Sequence, residues 1–334
     1  MRKKNIIGML AVAFTLSSFS LLVFGALAQS VYPAKDIEFL CYTEPGGGYD
    51  ILARGFSPFL TRHLREVSPG AKGGEIKVKN MIGAGGAKQL TYMYKDAKPD
   101  GYTFGDFNRG NAYNFTHGAN KLPFDVMEIT FLSSLARSNR ILLSRRFKTW
   151  EEMLATAKKE PLTFVSSNPG AAQNLDTIFF KEGVGLGGKV ANAGGTALAV
   201  SALLRGDGDI YVIDHASGKT LIDSKEVNAL VSFTAERVEP NVPTIAEKGF
   251  PQLLKTVGGQ GARTYIAPPK LNPEAKRILI TAMKRMVANP EFKAFCEKLK
   301  IELEPTFDQD AEDIIGGYIE LLKKNIDILK KYGL

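Results

Sequence analysis

Four times along this chain, an apolar run of strand length ends in a glycine-rich break that opens directly into a helical pattern. Residues 37–42 lead into Pro45-Gly46-Gly47-Gly48-Tyr49-Asp50 and then a helical face of Ile51, Leu52, Phe56, Phe59, Leu60 and Leu64. Residues 75–80 lead into Gly83-Ala84-Gly85-Gly86, and residues 162–166 into Ser167-Asn168-Pro169-Gly170-Ala171-Ala172-Gln173. A weaker case joins residues 189–192 to Ala193-Gly194-Gly195-Thr196. A strand, turn and helix repeated in this way predict an α/β fold, with mostly parallel sheets built by right-handed crossovers.

Between the second and third units, residues 129–144 hold two strand-like pieces separated by Arg137-Ser138-Asn139-Arg140, which reads as a passage from one lobe to another. Further strands are expected at 102–105, 209–214 and 228–233. The chain then returns through Gly258-Gly259-Gln260-Gly261 and a strand at 263–267 to helices at 273–288, 290–299 and 310–331. The expected division is 29–133 and 240–334 for the first lobe and 134–239 for the second, with residues 1–28 as a leader. Pro58 sits awkwardly in the first helix, where an interior proline costs roughly 3 kcal/mol or a kink; a bend or two shorter helices are expected.

The leader sets the compartment. Arg2, Lys3 and Lys4 precede a mostly apolar stretch to Leu27, and Ala26-Leu27-Ala28 supplies a small-x-small cleavage site. The alternative is an uncleaved membrane anchor, but the cleavage site and the polar chain after it favour removal after Ala28 and export to the periplasm. Removal takes the formal charge from +8 to +5. The remaining cations are dispersed, unlike the basic clusters of a nucleic-acid binder, and the mild excess suits an anionic ligand. Cys41 and Cys296, in an expected buried strand and helix, read as two separate thiols, although an exported chain could pair them. Neither the three dispersed histidines nor the cysteines show metal-ligand spacing, and no cofactor is implied.

Helix starts carry unpaired N–H groups and partial positive charge, and glycine lets a ligand approach them closely; such a place holds a carboxylate without any arginine. In α/β sheets these places collect at the carboxyl ends of strands. Each cluster alone could be only a tight turn, but equivalent clusters in both halves point to one shared cleft. The expected ligand contacts in the first half are Gly46, Gly47, Gly48, Tyr49, Gly85 and Gly86, with Asp50 capping its helix or fixing the loop. In the second half they are Ser167, Asn168, Gly170, Ala171, Ala172, Gln173 and the Thr196 hydroxyl. Asp214 either caps a helix or pairs with an ammonium or hydroxyl group. Asn108 follows the third strand, and Arg109 is either a surface residue or a bidentate carboxylate partner. Gly183-x-Gly185-x-x-Gly188 matches a dinucleotide pattern but stands after a helix and before a strand, the reverse of the required context. No phosphate-binding loop, nucleophile elbow or nucleophile–base pair is apparent, so an exported enzyme is the weaker alternative.

Several of these segments resemble, in order, the Bug-type receptors of tripartite tricarboxylate transporters. Tyr32-Pro33-Ala34-Lys35-Asp36-Ile37 is similar to that family's Y-P-x-K/R-x-I, and residues 45–54 to P-G-G-x-x-D-x-x-A-R. Residues 80–86 resemble N-x-x-G-A-G-G, residues 98–103 x-P-D-G-Y-T, and residues 242–249 V-P-T-x-x-E-x-G. The resemblance implies a two-lobed, type II periplasmic binding fold with two hinge crossings. It also implies a receptor that delivers a carboxylate, amino acid or aromatic acid to a permease of one large and one small membrane subunit; a monomer is the default for a receptor that must hinge. Presentation of the ligand to a membrane sensor is the alternative role. The second-lobe loop departs from the family's S-P-G-x-G-S-x-x-H at Ala172-Gln173 and lacks its histidine, and Ala193-Gly194-Gly195-Thr196 stands where relatives often carry P-Y-K-G. Both departures bear on ligand choice rather than on fold.

Overall fold

Eleven strands build two sheets in a computed structural model that describes residues 31–46, 48–117, 121–299 and 301–334. The expected leader, residues 1–28, and Gly47 of the first turn lie outside the described residues. The strands are β1 (Ile37–Cys41), β2 (Ile76–Asn80), β3 (Thr103–Phe107), β4 (Thr130–Ser138), β5 (Arg140–Ser144) and β6 (Leu162–Ser166). They continue with β7 (Gly188–Asn192), β8 (Ile210–Asp214), β9 (Asn228–Ser232), β10 (Gly259–Ala267) and β11 (Leu303–Phe307). One sheet has the order β11-β4-β10-β3-β1-β2 and the other β7-β6-β8-β5-β9.

Both sheets are mixed rather than mostly parallel. β1 pairs in parallel with β2 and β3, and β6 with β7 and β8. The ladders that β4, β5, β9, β10 and β11 form with other strands are antiparallel, apart from which Ser232 of β9 makes one isolated parallel bridge to Thr244. Among the strands in these parallel pairs, β1, β2, β6 and β7 are each followed by a glycine turn and a helix. The antiparallel ones are largely those by which the chain changes sheets, where no helix intervenes. Asn139 alone separates β4 from β5.

Helix Gly48–Val67 buries Leu52, Phe56, Leu60 and Leu64 against the first sheet, with Phe39 meeting Phe56 and Tyr265 edge-on. It is one helix of 20 residues and is not divided at Pro58. Pro58 lies on the exposed side, so the carbonyl of Arg54 that loses its N–H partner can meet water while the buried face holds the helix together. Cys41 and Cys296 are free, buried thiols in one core cluster, and burial pushes each up to about 12. Besides the short helix Ala112–Thr116 and brief 3-10 turns, further features escape a sequence reading. They are β11, helix His215–Asp223, and a break at Asn325 that divides the last helix into Gln309–Lys324 and Ile326–Lys330.

The two passages between sheets run side by side, with Ser138 opposite Gly259 in the β4–β10 ladder. Gly258 enters this junction at φ +72°, and a Cβ there would stand 2.7 Å from the Ser138 carbonyl oxygen, so only glycine fits. Its N–H donates to Asp176 Oδ1 at 3.1 Å, and its carbonyl accepts from Arg109 Nη2 at 2.6 Å. Arg140, the first residue of β5, is buried and donates through Nε to Asp176 Oδ2 at 2.6 Å and through Nη1 to Asp214 Oδ2 at 3.1 Å. Beyond the junction the halves touch again where Gly110 meets Ala172, an approach a Cβ at Gly110 would block at 2.5 Å. The C-terminal segment also reaches the second half, with Tyr332 donating to Glu182 Oε1 at 2.6 Å.

Removing one partner of a buried ion pair leaves an uncompensated charge. Asp176→Ala is therefore expected to destabilise the chain by about 3–5 kcal/mol, read by urea denaturation. A loss below about 1 kcal/mol, the value of an exposed pair, would show that the junction does not depend on it.

Candidate functional site

A cavity of about 480 Å³ lies between the two halves against the junction. The second half contributes Ser167, Asn168, Ala171, Ala172 and Gln173 after β6, Thr196 after β7, and Asp214 at the end of β8. These are carboxyl ends of strands, where helices Ala172–Val184, Thr196–Arg205 and His215–Asp223 begin. The first two helices have no side-chain cap, so their positive ends face the cavity wall open. The third is capped, because Asp214 Oδ1 accepts from the Ala216 N–H at 3.3 Å.

Internal bonds decide which groups of this wall can serve a ligand. The Gly170 N–H donates to Asn174 Oδ1 at 2.9 Å and the Ala171 N–H to the Asn168 carbonyl at 3.1 Å, so those amides are occupied, and Gly170 stays off the wall. Thr196 spends its hydroxyl proton on Gln173 Oε1 at 2.8 Å, and Tyr211 donates to the same oxygen at 3.1 Å. With Oε1 held twice, the Gln173 side-chain NH₂ is left as the donor. Ser167 Oγ is buried with no hydrogen-bond partner among the described residues, as is Asn139 Oδ1 at the junction.

The first half contributes Tyr49, Asn108 and Arg109. Asn108 accepts from the Gly110 N–H at 2.9 Å and donates to Tyr42 Oη at 3.1 Å. Arg109 is buried, not a surface residue; besides its bond to Gly258, its guanidinium lies 4.8 Å from the Tyr318 ring centroid. Asp50 fixes the first turn. Burial pushes its carboxyl up, but hydrogen bonds from Arg54, the Gly46 N–H and Asn80 outweigh that and hold it below its ordinary value. Gly46 and Gly48 flank the cavity without lining it, whereas Gly85 and Gly86 do not reach it. Those two follow β2, the strand farthest from the junction; Gly85 accepts from Asn111, and Gly86 packs near Tyr42 and Phe115.

Arg263 is the cavity residue that a motif search overlooks. It sits on β10 at φ +58°, just after a register shift in the β4–β10 ladder, and its guanidinium lies 4.3 Å from the Tyr49 ring centroid. Gly48, at the start of its helix, lies beside it: a Cβ there would stand 3.8 Å from Nη2. Among the described residues it forms no ion pair, in contrast to Arg137 with Glu304 and Arg140 with its two aspartates. A lone charged residue in a strand otherwise made of uncharged residues was the available signal.

Behind Arg263, Asp106 on β3 faces Tyr265 across the ladder. Asp106 Oδ1 accepts from the Tyr42 N–H at 3.0 Å and Gln89 Nε2 at 3.2 Å. Its Oδ2 and the Tyr265 hydroxyl have no partner among the described residues. Burial pushes the carboxyl up to about 6.

Two α/β lobes joined by paired crossings, with a polar cavity ringed by helix starts, define a solute-binding receptor. The chain belongs to the tripartite tricarboxylate transporter family receptors, known as TctC, whose pattern matches residues 62–334. It is 25% identical over 239 residues to protein BugT of Bordetella pertussis, covering 68% of this chain and 70% of that one. Its fold is that of a TctC solute-binding protein from Polaromonas, with TM-score 0.72, 18% identity and coverage of 89% of this chain and 99% of the other. A protein of R. palustris solved with adipate superposes with TM-score 0.68 at 20% identity, covering 90% of this chain and 98% of that one.

Because the folded Asp106 carboxyl titrates near 6 rather than 3.8, the native state binds more protons across that window than the unfolded chain does. The Asp106 contribution to stability should therefore fall as pH rises from about 4 to about 6, by roughly 2 kcal/mol. Asp106→Asn should remove this component, as judged by urea midpoints of both proteins at the two ends of the window. An undiminished slope in the variant would assign the titration elsewhere.

Proposed function

We propose that this receptor captures one small carboxylate between its lobes in the periplasm and delivers it, chemically unchanged, to a permease of one large and one small membrane subunit. The observation that carries this reading is Arg263, a cavity arginine without an ion-pair partner among the described residues, set beside the start of helix Gly48–Val67. Two uncapped helix starts on the other lobe add positive potential from across the cavity. An anion relieves that excess at low reorganisation cost, since the donors are already in place. Family membership supports the transport role, and the adipate-bound R. palustris neighbour offers a precedent for an organic acid in this fold. The basic head, apolar stretch and Ala-x-Ala site of residues 1–28 support export with cleavage after Ala28. The working unit is a monomer, whose lobes close by flexing at the paired crossings.

The mature chain screened by thermal shift against organic acids, sugars and metal cations should respond to one acid or a few related ones. At a hundredfold excess over Kd, the stabilisation is about 2.7 kcal/mol. Arg263→Gln should weaken the best acid by at least about tenfold, as for the loss of a charge-assisted bond worth roughly 1.5–3 kcal/mol. Silence toward every acid, or a response confined to sugars or cations, would defeat the proposal.

A further inference from the structure

We infer that the cavity selects an acid that also carries an amino group, with Arg263 binding the carboxylate and Asp214 together with Asn139 binding the ammonium. The inference rests on the carboxylate-capture reading above and deepens it. Arg263 belongs to the first sheet and Asp214 to the second, yet both line one cavity, close enough that Arg263 feels the charge of Asp214.

The Asp214 end is short of hydrogen-bond donors. The Asn139 carbonyl accepts from the His215 N–H at 2.7 Å, which fixes Asn139 beside Asp214. The Asn139 side chain donates its NH₂ to Glu302 and leaves Oδ1 buried without a partner among the described residues; the residue is only 5% exposed. Asp214 receives one bond from Arg140 and a long one from the Ala216 N–H, and its side chain remains 29% exposed. Arg140 is shared with Asp176, so these three charged side chains sum to one net negative charge. An unpartnered acceptor beside an incompletely neutralised carboxylate favours a ligand group with several protons and a positive charge. An ammonium offers three donors and that charge, whereas a hydroxyl offers one proton and none.

The opposite character of the remaining contacts fixes the ligand's direction. Arg263, the unpartnered Ser167 hydroxyl and the Gln173 NH₂ are donors that suit a carboxylate. A plain dicarboxylate seated on Arg263 would bring its second charge toward Asp214 and Glu302, where repulsion and desolvation oppose it. Zwitterionic amino acids present both ends with matching sign.

Calorimetric titration of the mature chain with matched pairs tests this: L-glutamate against glutarate, L-aspartate against succinate, L-leucine against isocaproate. The amino member of the best-binding pair should bind at least about tenfold more tightly, a difference of about 1.4 kcal/mol. Asp214→Asn, which keeps the helix cap, should shrink that ratio to about threefold or less, while Arg263→Gln should weaken both members. If the Asp214 variant does not fold, Asn139→Ala must lower the same ratio. Equal or tighter binding by the deamino members, or an unchanged ratio in the folded variants, overturns the inference and leaves carboxylate capture standing. No binding by either member of any pair overturns the inference, and silence in the wider acid screen as well overturns both.

Discussion

Arg140 is buried at the point where the chain leaves its first sheet for its second, and Asp176 meets it from the helix that follows β6. Burying these charges is tolerable because each also finds further partners: Arg140 reaches Asp214, and Asp176 accepts from the Gly258 amide of the returning strand. Outgoing strand, returning strand and ligand-side helix are thereby tied at one place. Asp214, held by the same guanidinium, becomes part of the cavity wall, so the group that secures the junction also positions a prospective ligand contact.

The cavity differs from its surroundings in the balance of its hydrogen bonds. Most polar groups around it are satisfied internally: Gly170, Ala171, Thr196, Asn108 and Asp50 all have their bonds within the chain. Those with capacity to spare are Arg263, the Gln173 NH₂, Ser167 Oγ and Asn139 Oδ1. Leaving buried polar atoms unmatched costs free energy, and such sites are places where a ligand or water completes the set. Beside these side chains, the uncapped starts of helices Ala172–Val184 and Thr196–Arg205 leave backbone N–H groups at the same wall.

The glycine turns made the layout legible in the sequence. They mark where β1, β2, β6 and β7 end, and the pause at Arg137-Ser138-Asn139-Arg140 marks the change of sheet. What they do not carry is spatial order. Gly85 and Gly86 follow the same local pattern as the other turns, yet β2 is an outer strand, which keeps them from the cavity. β11 contains Pro305 and lacks a clean alternation; an edge strand tolerates that because one side of its ladder is unpaired. Arg263 was hidden for a related reason. The glycines before it read as a loop, whereas residues 259–267 form a distorted strand whose irregular register and left-handed backbone turn the arginine toward Tyr49.

The C-terminal segment adds a restraint beyond the paired crossings. Helix Gln309–Lys324 packs on β4, β10 and β11 of the first sheet, while Tyr332 and Lys331, a few residues later, engage Glu182 on the ligand-side helix of the second. The two halves are thus buckled along a third line away from the crossings. A body fastened at a third place as well cannot twist freely about an arbitrary axis; its easiest excursion is a narrow opening along one direction.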